Sequence, residues 1–110
     1  MRVFLLIGAV ALWLAGCNAK EPQPTQAQLT RGAKLYAGRC ITCHGADGRR
    51  DTSGRGSVIA GRDAAWIAAN LKGYRTGKLS LRGLGAVMKM QIANRSDEDI
   101  AALAAYISKL

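Results

Sequence analysis

Apolar residues fall along the chain in one unbroken run and three periodic stripes. The run, Val3 to Ala15, follows Arg2, as the hydrophobic region of an export signal follows its charged region. A membrane-spanning helix needs roughly 20 apolar residues, and this run is several short, so a cleaved signal is the better reading. From Asn18 to Gln28 the apolar pattern vanishes. That stretch contains Pro22 and Pro24 and reads as a polar, semi-extended tether. The expected organisation is a signal over 1–16, a tether over 17–28 that begins with Cys17, and one domain over 29–110.

Within the domain the stripes have helical period. Leu29, Gly32, Ala33 and Tyr36 stand at i, i+3, i+4 and i+7, one face of a helix. Asp63 precedes a second stripe of Ala64, Ile67, Ala68 and Leu71, predicting a helix capped by Asp63 that stops near Gly77. The third stripe is the clearest. Ser96-Asp97-Glu98-Asp99 resembles a capping box with Asp in place of the usual Glu, and Ile100, Leu103, Ala104 and Ile107 follow. Lys109 suits the negative end of that helix. The glycine-rich segments Gly45 to Gly61 and Gly73 to Gly85 read as loops, long for so small a domain and in need of something to wrap. No repeat appears, and no alternation long enough for a sheet.

Size sharpens that point. Of 110 residues, fewer than 100 remain after the signal, and the whole chain holds one Phe and three Tyr. Domains so small need a staple. The formal charge of +9 favours acidic partners, but the cations are scattered, with no basic run interleaved with aromatics. With an export signal present, no nucleic-acid partner is expected. A solvated basic surface accounts for most of the charge, and a minority suits an acidic docking face on a redox protein.

Three cysteines make an odd number for a disulfide framework. Cys17 closes the signal, whereas Cys40-Ile41-Thr42-Cys43-His44 lies inside the domain. Cys-x-x-Cys-His is the attachment spacing of c-type haem: two thiols one turn apart reach two vinyl groups, and the histidine meets the iron beneath. A redox dithiol expects a strand–helix context that is not visible here. A zinc site needs four donors, and adjacent Cys43 and His44 converge poorly on one ion. His44 is the only histidine, so the sixth iron ligand is not a second one. Met88 and Met90 are the methionines outside the initiator. Each has gap-filling in the core as its plain alternative, and spacing alone leaves the choice open.

Taken together, these residues resemble a short class I bacterial cytochrome c. The resemblance covers 29–110: a helix with Gly32 and Tyr36 leading into Cys40-x-x-Cys43-His44-Gly45, then Ile59-Ala60-Gly61 and a helix with Trp66, Leu71 and Tyr74. A methionine segment and Ser96 to Ile107 complete it. It implies an all-α fold of three main helices around one covalently bound haem c. It also implies a one-electron carrier rather than an enzyme, with no small-molecule substrate. Cys40 and Cys43 would hold the porphyrin and His44 the proximal face. Met88 would hold the distal face, because such cytochromes place that ligand eight residues before the capping serine; Met90 is the reserve. Gly32, Tyr36 and Tyr106 match the family's packing of first on last helix, and Trp66 would lie against the haem edge. Ser57 stands where the family has a proline whose carbonyl accepts from the histidine Nδ1–H.

Leu14-Ala15-Gly16-Cys17 resembles a lipoprotein box, which implies lipid on Cys17 and a place on the periplasmic side of a bacterial membrane. Two further readings are a haem sensor or peroxidase-like enzyme with a labile sixth ligand, helped by Arg82 or Gln91, and a cytochrome subunit of a larger oxidoreductase.

Overall fold

The computed structural model of the chain describes residues 16, 22–51, 58–79 and 83–110. The apolar run expected to be a signal, Cys17, Ser57 and Arg82 lie outside them. The described residues are helical, with no strand among them. In chain order the elements are α1 (Gln26–Leu35), a π-helical turn (Tyr36–Cys40), α2 (Ile41–His44), α3 (Ala64–Thr76), α4 (Gly85–Ile92) and α5 (Asp97–Ser108). No described helix is long and apolar enough to cross a membrane.

α1 begins inside the segment expected to be tether. Thr25 forms a capping box with Gln28: the Gln28 N–H donates to Thr25 Oγ1 at 3.1 Å, and the Thr25 N–H donates to Gln28 Oε1 at 2.9 Å. Two of the helix's first orphan donors are thereby satisfied, and Gln26 to Gln28 become helical although they carry no apolar stripe. α3 follows its expectation closely. The Trp66 N–H donates to Asp63 Oδ2 at 3.0 Å, and Gly77 ends the helix at φ 89°, a left-handed conformation that suits glycine. α5 opens with the expected box, Ser96 with Asp99. Three acidic residues in its first turn complement the helix dipole.

α5 is the centre of the packing: α1 and α3 both lie against it, and α4 lies against α3. Tyr36, Ile67, Leu71, Ile92, Ile100, Leu103, Ala104 and Ile107 form the core, so each predicted stripe supplies part of it. Tyr36 and Tyr106 meet with ring centroids 5.5 Å apart and planes tilted at 53°, a favourable geometry for an aromatic pair.

α4 departs from expectation. The methionine segment, for which the sequence predicted no helix, is itself one. It has no polar cap at Leu84, and Ile92 is its one buried residue. Its apolar residues do not form a single stripe, because Val87 and Met90 are exposed while Met88 packs against the core. A helix without cap or stripe leaves little trace in the sequence.

Candidate haem-binding site

The chain reaches Cys40 through the π-helical turn, and α2 then carries Cys43 and His44 to Gly45, where φ is 80°. Several bonds pin this short segment. The buried Tyr36 hydroxyl donates to the Gly45 carbonyl at 2.6 Å. The Arg50 guanidinium donates to the Thr42 carbonyl at 2.7 Å, and the Arg50 N–H donates to the His44 carbonyl at 3.0 Å. The carbonyls at the end of α2, orphaned by the helix geometry, are thus taken up by the loop that follows. The loop is anchored in turn, since the Gly61 N–H donates to Ile107 of α5 at 3.2 Å.

Cys40 and Cys43 are both free thiols, the first half-buried and the second exposed. Burial pushes the Cys40 thiol pKa up, with the Arg95 charge acting against it and Cys43 adding to it. Burial also lowers the His44 pKa, which favours the neutral imidazole, the form that ligates metals. His44 is only partly buried, yet its Nδ1 is fully buried and has no hydrogen-bond partner among the described residues. Burial similarly pushes Tyr36 up to about 12.

The two methionines are sharply separated. Met88 is half-buried and packed against the core, whereas Met90 is 73 % exposed. Leu79, Leu84, Val87 and Trp66 are also large apolar side chains left in solvent. The Arg62 guanidinium sits 4.6 Å from the Trp66 ring centroid, a cation–π geometry. Gln91 is half-buried on α4.

A haem group fits these residues. Two thiols and an imidazole stand on one pinned turn, and a half-buried thioether stands on a separate helix. Exposed apolar side chains, which water leaves unpartnered, are what a porphyrin face would cover. By contrast, no three His, Cys, Asp or Glu side chains among the described residues converge as an ion site would require. Arg50 was not legible as part of this site, because an arginine six residues after the histidine carries no periodic or motif signal.

Residues 29–110 match the cytochrome c family. The chain belongs to that family. Its relatives include cytochrome c-553 of Nitratidesulfovibrio vulgaris (strain Miyazaki F), 39 % identical over 86 % of this chain and 90 % of the relative. Cytochrome c-554(548) of Halomonas halodenitrificans is 36 % identical over 64 % of this chain and 83 % of the relative. Cytochrome c4 of Azotobacter vinelandii is 33 % identical over 84 % of this chain, which spans only 46 % of that longer protein. The protein is thus a class I c-type cytochrome with the all-α cytochrome c fold, a covalently bound haem c and an electron-carrying role.

Proposed function

We propose that this cytochrome passes single electrons through an iron held by His44 and Met88, and that lipid on Cys17 tethers it to the periplasmic side of a bacterial membrane. The observation that carries the axial assignment is the contrast between the methionines. Met88 is the one packed against the core, while Met90 projects into solvent. When bound, haem c supplies the iron that alternates between ferric and ferrous. Cys40 and Cys43 hold it by thioethers, and the bonds from Tyr36 and Arg50 keep the His44 turn from moving between the two oxidation states. A carrier that holds its ligands still exchanges electrons without bond-making. Methionine ligation and burial favour the ferrous state, so the potential is expected to be relatively high.

The partner is expected to be a redox protein with an acidic face, because the chain carries 16 Lys and Arg against 7 Asp and Glu. Such encounters slow as salt is raised. Redox titration of the haem-loaded protein should give one reversible one-electron wave, with carbon monoxide excluded from the ferrous iron. Rapid carbon monoxide binding together with peroxide turnover would instead support an open sixth position and an enzyme. Intact mass of the mature native protein tests the anchor separately. Acyl chains on Cys17 support it, and an unmodified N-terminus overturns it.

A further inference from the structure

We propose that Arg75 is a positioning residue for Met88: its guanidinium clamps the turn between α4 and α5 and so holds the helix that presents the thioether. The inference rests on Met88 being the axial ligand. A neutral thioether is a weak ligand, and its hold on iron depends on how firmly it is presented. α4 is poorly built to do that alone. It is eight residues long, has no side-chain cap, and buries only Ile92, and short helices owe their stability to packing.

Arg75 supplies the missing restraint from the last turn of α3, the helix against which α4 lies. Its Nη1 donates to the Arg95 carbonyl at 2.9 Å, and its Nη2 donates to Asp97 Oδ1 at 2.6 Å. The Arg95 N–H in turn donates to the Ile92 carbonyl at 3.0 Å, so the clamped residue is bonded directly to the end of α4. The Arg75 side chain is 25 % exposed, more sheltered than an ordinary surface arginine. Its two acceptors belong to different groups, one a backbone carbonyl and the other a carboxylate. A planar guanidinium bridges such a pair with fixed geometry, whereas a lysine ammonium is a point charge on a flexible stem. The bland role for Arg75 is a cation complementing the C-terminus of α3, and a lysine would serve that role equally well.

The test uses the haem-loaded protein with Arg75→Gln and Arg75→Lys, and with Arg31→Gln as a control at an ion pair between α1 and α5. The readouts are the methionine–iron charge-transfer band, the rate of carbon monoxide binding to ferrous iron, and amide hydrogen exchange over Val87 to Ile92. Arg75→Gln should weaken the band and speed both carbon monoxide binding and exchange at least tenfold, leaving exchange in α1 unchanged. Arg75→Lys should restore these only in part, and Arg31→Gln should alter none of them. Unchanged α4 exchange in Arg75→Gln, or full rescue by lysine, overturns the clamp. A Met88→Ala protein that keeps the band overturns the axial assignment instead, and the exchange rates then decide the clamp by themselves.

Discussion

Gly32 of α1 lies directly against the backbone carbonyl of Ala102 on α5. A Cβ at position 32 would collide with that oxygen and stand 2.8 Å from the Ala102 carbonyl carbon and 2.7 Å from Tyr106 Cβ. Backbone atoms inside a helix cannot yield as a side-chain tip can, so the two helices would have to part. Gly32→Ala should therefore destabilise the protein, by about 1–3 kcal/mol or more on the scale of overpacked cores. Calorimetry checks this, since each kcal/mol lowers the melting temperature of a domain this size by about 4–8 °C. An unchanged melting temperature would contradict the close approach.

Asp99 serves two purposes with its two oxygens. Oδ1 accepts from Arg31 Nε at 2.9 Å and Nη2 at 2.7 Å, joining α1 to α5, while Oδ2 accepts from the Ser96 N–H at 3.3 Å. The Arg31 hydrogen bonds are the main cause holding this carboxyl below the usual carboxylate range. The folded state thus binds the proton less readily than the unfolded chain. Its contribution is complete above about pH 4 and is lost as pH falls through the depressed folded value. Acid titration of unfolding should show a shallower loss in Asp99→Asn than in the wild type. Ser96→Ala removes the other half of the box and should cost about 1 kcal/mol.

The Tyr36 hydroxyl bond to Gly45 is buried, so Tyr36→Phe leaves a carbonyl beside the attachment turn with the Gly48 N–H, at 3.2 Å, as its remaining donor. The expected cost is about 0.5–1.5 kcal/mol, read by denaturant unfolding. Burial is the largest cause of the raised Tyr36 pKa of about 12, with Cys40, Tyr106 and Asp47 adding and Arg50 opposing. Once Cys40 is a thioether its share disappears, and burial remains. Because the folded value exceeds the unfolded one near 10, this stabilisation is complete below pH 10 and is lost as pH rises towards 12. The wild type should lose stability over that window more steeply than Tyr36→Phe.

Haem attachment is tested at the thiols. Replacing Cys40 or Cys43 singly should remove one thioether and shift the pyridine haemochrome spectrum. Replacing both should abolish maturation and leave the helices poorly formed, because a chain with so few large aromatics depends on the haem for its interior. A stable, helical double variant seen by circular dichroism would contradict that dependence.

Much of this was legible in the sequence for local reasons. Asp63, Ser96 and Gly77 mark helix ends through their own side chain or backbone freedom, and the stripes through Ile67, Leu71, Ile100 and Ile107 point inward as their spacing requires. Cys40, Cys43 and His44 are adjacent in the chain, so their meeting needs no tertiary information. Most of what stayed hidden depends on contacts between distant segments. The Thr25–Gln28 box is local and was missed because no apolar stripe marks the residues it caps, whereas α4 is held by its neighbours rather than by a stripe of its own. The roles of Arg50 and Arg75 arise only because the chain folds their guanidinium groups onto Thr42, Arg95 and Asp97.

The central claim is that a methionine-ligated iron makes this protein a carrier, and the ferric absorption spectrum of three proteins tests it most directly. The wild type should show the methionine–iron charge-transfer band at the red end. Met90→Ala should keep it, and should change stability by no more than about 0.5 kcal/mol because that side chain is 73 % exposed. Met88→Ala should lose the band, fall in reduction potential and admit carbon monoxide. A band that survives in Met88→Ala and disappears in Met90→Ala would reverse the assignment. A wild type with no band that reduces peroxide efficiently would contradict the carrier account itself.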